Sequence, residues 1–219
     1  MTANVQRSLA AEFLGTALLL ATVVGSGIMG ERLAGGNAAI ALLANSLATA
    51  GALFVLISVF APISGAHFNP LVSAAERFAG RQCTRLTLAY VAMQGAGALV
   101  GVLIAHAMFD LPPLQASAKV RTGMAQWIAE GVASFGLLLV IGLSAKESAA
   151  AVAARVACYI GAAYWFTAST SFANPAVTLA RAFTDTFAGI RLADAPMFMV
   201  AQGIGAALGV WVARRLSPT

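Results

Sequence analysis

Charge is scarce in this sequence. Asp, Glu, Lys and Arg make up 10% of its 219 residues, against 60% hydrophobic, where a soluble domain carries about 25% charged residues. A chain so short of charge cannot clothe a water-facing globule, so long apolar stretches must account for it. Two cysteines and two histidines leave no metal-like or redox-like spacing. Cys83 and Cys158 read as ordinary thiols, with no disulfide framework. No Ser-His, Cys-His or metal-ligand cluster emerges, which argues against an enzyme, and neither cofactor nor metal is expected. The formal charge of +5 comes without an aromatic-basic cluster, which argues against a nucleic-acid partner.

What is abundant is apolar sequence. Six stretches reach the length needed to span a bilayer, about 18 to 20 mostly apolar residues: roughly 9–29, 38–61, 86–109, 124–145, 149–168 and 196–213. The stretch after Arg7 resembles a signal peptide, but Glu12 interrupts it and the run continues past Val24, which marks a first transmembrane helix. The expectation is an all-α membrane protein, one transmembrane domain over 1–219. Arg7, Arg77, Arg81, Arg85, Lys146, Arg214 and Arg215 fall on one side of a six-helix thread. The other side dilutes Arg32, Lys119, Arg121, Arg181 and Arg191 with acidic residues, so both termini are expected in the cytoplasm, across the plasma (inner) membrane.

Three landmarks recur in order in the two halves, about 1–115 and 116–219. Glu12 in "AEFLGTALLL" matches Glu130 in "AEGVASFGLLL", "FNPLVS" matches "ANPAVT", and "YVAMQGAGALVG" matches "FMVAQGIGAALG", at offsets of 118, 105 and 108 residues. Each half holds three spans, an odd number, so the second enters the membrane from the opposite side and the repeat is inverted.

Asn69-Pro70-Leu71 and Asn174-Pro175-Ala176 are helix starts: Asn caps a free N–H and Pro has none to leave unsatisfied. Each opens a segment of about 10 residues, or about 15 Å, so two end to end make the roughly 30 Å of the hydrocarbon core. They are expected to meet at the membrane centre as a seventh, broken span. Their lead-ins, "APISGAHF" and "TASTSFA", then lie at membrane depth without helical hydrogen bonds, which is tolerated only around a water-filled cavity. Two positive helix ends at that junction disfavour cations. The free side-chain NH₂ groups of Asn69 and Asn174, with carbonyls of Gly65, Ala66, His67, Thr170, Ser171 and Phe172, would serve neutral oxygen-bearing solutes. Glu12 and Glu130 read either as a proton relay or as buried acceptors for loop N–H groups, the second being favoured. Gln94 and Gln202 read as polar contacts for the same loops, His67 as a loop brace partly exposed to the pore, and His106 as an interfacial helix-end residue. Gly95, Gly97, Gly101, Gly203, Gly205 and Gly209 read as helix-packing surfaces.

These paired boxes, "SGAHFNP", "AEFLGT" and the two glutamines resemble the major intrinsic protein family, the aquaporins and aquaglyceroporins, over 9–213. The resemblance implies six helices plus two half-helices in a right-handed bundle, a pore in each subunit, a homotetramer in the lipid bilayer and passive conduction. Most members place Arg directly after the second box; here the residue is Val177. Arg181, one turn and about 6 Å further along, is expected to be a poor replacement. Carried over by spacing, the family's other constriction positions fall on Thr49, Ala162 and Ser171, with Asn45 replacing Thr49 if the register slips by a turn. Thr, Ala, Ser and Val are small and uncharged, which predicts a wide filter. "GAAYWFTASTSFANPAVTLAR" also resembles bacterial arsenic-resistance channels lacking the pore Arg, which implies passage of arsenite as neutral As(OH)₃, possible methylated arsenicals, glycerol-like polyols and some water. A proton-coupled secondary transporter using Glu12 or Glu130, a water-selective aquaporin and a nearly closed junctional protein remain as alternatives.

Overall fold

The computed structural model describes residues 3–217. Six long helices, α1 (Ala3–Leu33), α2 (Ala38–Ser64), α4 (Thr84–Met108), α5 (Met124–Leu143), α6 (Ala149–Phe166) and α8 (Ala195–Leu216), are joined by two short ones, α3 (Pro70–Phe78) and α7 (Pro175–Ala180). All six long helices are long and apolar enough to cross a membrane. Side chains such as Leu47, Val55, Ile204 and Leu208 point outward, while Glu12, Gln94, Glu130, Ser134 and Gln202 are buried. Polar and charged groups of the spans are thus gathered inside an otherwise apolar core, while the outward side chains are apolar.

The chain sets its helix starts by capping. Asn37 Oδ1 accepts from the N–H groups of Ala39 and Ile40, and Ser148 Oγ from that of Ala151, satisfying donors that have no partner inside the helix. Gly65 ends α2 in the left-handed region, at φ 87°, where a side chain would be strained.

α1, α2, α3 and α4 correspond to α5, α6, α7 and α8 as an inverted repeat. Within each half the first and last helices cross tightly, α1 on α4 and α5 on α8; α2 packs on α6 across the halves. Between lipid-facing helices no hydrophobic force favours association, so close backbone approach must supply the attraction. A Cβ on Gly97 or Gly101 would collide with the carbonyls of Phe13 or Ala17, and one on Gly205 or Gly209 with those of Gly131 or Phe135. Gly95 and Gly203 differ from the expectation. They have open space around the Cβ position, because they lie two residues, about 200° of helix rotation, from the contact stripe.

Two further expectations change. Residues 61–64 stay helical as the last turn of α2, with Gly65 N–H bonded to the Ala61 carbonyl at 3.0 Å, so the first irregular lead-in is only 65–68. The second half-helix runs six residues before tightening into a 3₁₀ turn, Arg181–Phe183. The carbonyls that would extend it are taken elsewhere: Arg181 O accepts from Ile190 N–H, Ala182 O from Ser117 and Phe183 O from Gln115.

Replacing Gly205 with Leu is expected to cost about 1–3 kcal/mol or more by overpacking, read as a lower midpoint of thermal unfolding in detergent, while Gly203→Ala leaves the midpoint unchanged.

Candidate functional site, a pore between the two half-helices

α3 and α7 meet end to end at their N-termini. Asn69 Oδ1 accepts from Leu71 N–H at 2.9 Å, and Asn174 Oδ1 from Ala176 and Val177 at 3.0 and 3.3 Å. Their amides tie the halves together: Asn69 Nδ2 donates to the Ala173 carbonyl at 2.8 Å and Asn174 Nδ2 to the Phe68 carbonyl at 2.7 Å. The expectation of wholly free NH₂ groups is thus corrected. One N–H of each Asn is committed to the opposite half and one remains. Pro70 and Pro175 occupy the first helical positions; Ala176 is buried and Leu71 is half-buried, on the α8 side.

Each irregular lead-in hangs from one carboxylate. Glu12 Oε1 accepts from Ser64 Oγ at 2.6 Å and His67 N–H at 3.0 Å; Oε2 accepts from Phe68 N–H and Gln94 Nε2, both at 2.8 Å. Glu130 repeats the pattern with Ser169 Oγ at 2.5 Å and Phe172 N–H at 2.9 Å, then Ala173 N–H at 2.9 Å and Gln202 Nε2 at 2.6 Å. The glutamines also donate to Ser73 Oγ and Thr178 Oγ1 on the half-helices. Holding these loops requires backbone that side chains rarely adopt. Ala66 and Phe68, and again Thr170, Ser171 and Ala173, have φ between 46° and 62°, costing of order 1 kcal/mol or more each.

Around this junction lies a cavity of about 120 Å³. Its walls are stripes spaced four residues apart: Leu19 and Val23 on α1 matching Leu137 and Ile141 on α5, and Thr49, Leu53 and Ile57 on α2 facing Val152, Val156, Ile160 and Tyr164 on α6. The lead-ins contribute Gly65, Ala66, His67, Ser171 and Phe172. Thr170 is outside this lining; it is half-buried and its N–H turns back to the Thr167 carbonyl. His67 borders the cavity, with Nδ1 3.0 Å from Ser73 Oγ and its ring edge-on to Tyr90.

Of the four positions carried over by spacing, Thr49, Ser171 and Val177 line the cavity and Ala162 does not. Ala162 is exposed on the outer face of α6. Tyr164 stands on the inner face instead, donating from its hydroxyl to Thr49 Oγ1 at 3.2 Å. Two residues are about 200° of helix rotation, so an ungapped count landed on the wrong face. The stripe Val152, Val156, Ile160, Tyr164 carried the signal that could have found it. Asn45 braces α2 on α1, donating to the Val23 carbonyl and Ser26 Oγ.

Arg181, expected to be a poor replacement for an arginine directly after the second box, lines the cavity one turn beyond Val177, 2% exposed, with Nε donating to the Ala188 carbonyl and its guanidinium carbon 3.4 Å from the centre of the Phe172 ring. Four residues is nearly a full turn, so the long side chain stays on the pore face. Arg121 lies 5.0 Å from the same ring and donates to the Gly189 and Ser169 carbonyls. Burial lowers the Arg121 guanidinium to about 10, which leaves it protonated at neutral pH. His106 is likewise not interfacial. It is fully buried, bridging the Pro113 carbonyl and Thr184 Oγ1 at 3.0 and 2.8 Å, and so ties the loops that hold Pro113 and Thr184 to the end of α4.

Six spans, two capped half-helices meeting at the centre and a cavity lined from both halves define a passive membrane channel. Residues 1–166 match the major intrinsic protein family. Over 213 residues the chain is 53% identical to aquaglyceroporin AqpS of Rhizobium meliloti (strain 1021), covering 97% of this chain and 91% of that one. It is 36% identical over 142 residues to aquaporin TIP1-2 of Zea mays, covering 63% of this chain and 56% of that one. The X-ray structure of the aquaglyceroporin from Plasmodium falciparum superposes with a TM-score of 0.76 at 20% identity, covering 97% and 96% of the two chains, a likeness of fold. The chain belongs to the major intrinsic protein family and is an integral membrane channel, not an enzyme.

Glu130→Gln turns one acceptor oxygen into a donor facing N–H groups, and is expected to cost about 1–3 kcal/mol. A fall in the thermal midpoint in detergent checks it, with the exposed Glu31→Gln as the unaffected control.

Proposed function

We propose that this chain conducts small uncharged polyhydroxy solutes of the glycerol class, together with arsenite as neutral As(OH)₃ and some water. The observation that carries this reading is Val177 at the position following the second box, buried and lining the cavity: an isopropyl group leaves there the space that an arginine would fill. Above the junction, the remaining Asn N–H groups offer a solute hydroxyl its hydrogen bonds, beside the buried Ser171, which also lines the cavity. The opposite walls are aliphatic and suit its carbon edge. The outer constriction in this reading is Thr49, Tyr164, Ser171 and Val177. The subunit assembles as a homotetramer in the plasma membrane with both termini cytoplasmic, an orientation supported by the basic residues of the 77–85 segment and the Arg214–Arg215 end. The saturation of Glu12 and Glu130, each with four donors, speaks against proton coupling, because neither carboxylate has a vacant route for relaying a proton.

One observation favours a second, water-selective reading: Tyr164 and Arg181 bring an aromatic ring and a guanidinium to the outer half of the cavity, narrowing what was expected to be wide. Stopped-flow light scattering on proteoliposomes separates the two. In the leading reading wild type passes glycerol and arsenite, and Val177→Arg loses both by about tenfold or more while keeping water. Wild-type passage of water alone overturns it in favour of the second reading.

Tyr164→Ala is expected to admit longer polyols such as ribitol several-fold faster, whereas Ala162→Tyr leaves the same rates unchanged. Equal effects of the two would displace the constriction from Tyr164.

A further inference from the structure

We infer that Arg181 is the charge-selecting residue of this pore, a fixed guanidinium on its outer half that excludes cations while leaving room for neutral solutes beside Val177. The inference rests on the channel reading and names the part of the site that rejects rather than admits.

Three features of the outer half carry it. Arg181 is held rather than free: Nε is bonded to the Ala188 carbonyl and its guanidinium is stacked on Phe172, whose own N–H hangs from Glu130. Its position is thus fixed through the lead-in loop to the carboxylate that organises the second half. Its two terminal nitrogens, by contrast, find no acceptor among the described residues, although the side chain is 2% exposed and lines the cavity. Buried donors without protein partners are costly, so these face the lumen that the side chain lines. Finally, the charge is unpaired, and two guanidiniums stand in this half against the one carboxylate of Glu130. Among the described residues neither Arg181 nor Arg121 is ion-paired, and Arg121 adds a second guanidinium near the same ring. Glu130, the acid of this half, has its oxygens committed to Ser169, Phe172, Ala173 and Gln202.

A monovalent cation about 4 Å from an unpaired guanidinium meets repulsion worth about tenfold or more in passage at the intermediate dielectric of such a site, whereas a neutral polyol meets only donors. Arginine directly after the box would narrow the path at the constriction itself. One turn further along, the charge lines the cavity outside it and the constriction is left to Val177. Selection by charge and selection by size are thereby divided between two residues of one helix face.

The test uses the full-length channel in proteoliposomes, with proton and sodium leak read under an imposed membrane potential and glycerol flux read on the same vesicles. Arg181→Gln, and Arg181→Met, which keeps the apolar stem on Phe172, are expected to raise cation leak at least about tenfold with glycerol flux within about twofold. Arg181→Lys is expected to keep the leak low. Adding Val177→Arg to the Arg181→Met variant is expected to restore tightness, an effect that a merely structural role of Arg181 would not produce. Neutral variants that carry glycerol and remain tight to cations would overturn the assignment, as would leak unaffected by the added Val177→Arg. A wild type that passes no glycerol, yet leaks cations once Arg181 is neutralised, supports the barrier and instead sinks the solute reading.

Discussion

The structure depends on satisfying irregular backbone at a depth where no lipid atom can do so. A pore through a helical bundle needs main chain that departs from the helix, and each departing N–H group must find an acceptor inside the protein. Glu12 and Glu130 provide it, each with two oxygens that serve two backbone N–H groups, a serine hydroxyl and a glutamine amide. Burying a carboxylate is expensive, and four donors apiece offset that cost. Around this arrangement the other features fall into place: the left-handed residues of the lead-ins, the serines that begin them, and the glutamines that link them to the half-helices.

The close crossings of α1 on α4 and α5 on α8 serve the same end. Glu12 and Gln94, and Glu130 and Gln202, stand on the crossing helices, so the distance between the two partners of each loop is fixed by how closely the helices approach. Gly97, Gly101, Gly205 and Gly209 set that approach by bringing backbone against backbone. Packing between helices thus reaches the chemistry of the centre through the geometry of the acceptors.

Much of this was legible in the sequence because repetition made it so. The paired Asn-Pro boxes, the matching carboxylates and the glutamines stand at near-constant offsets, and cap chemistry alone predicts two half-helices starting at Pro70 and Pro175. What escaped was side-chain direction. Counting from a box through a loop points to Ala162, and a two-residue difference in a helix reverses the face; the stripe ending in Tyr164 holds the information. Axial distance makes Arg181 a poor stand-in at 177, yet a long side chain four residues on shares the lumen face of Val177. The full freedom of the asparagine amides failed as an expectation because their partners, Ala173 and Phe68, lie in the opposite half, a contact that no local pattern encodes. His106 read as interfacial because it ends an apolar helix, whereas its two ring nitrogens are met by Pro113 and Thr184.

The reciprocal ties at the centre bear on how such a chain is built. Asn69 reaches the carbonyl of Ala173, and Asn174 that of Phe68, so each partner is supplied by a segment more than a hundred residues away. During synthesis the first half reaches the bilayer with one amide and one carbonyl at its heart unmatched, and it must keep them hydrated until the second half arrives from the opposite face. The nascent half-channel is therefore a wet cleft awaiting closure, and the joining of the two boxes is the step that converts a pair of inserted segments into a finished conduit.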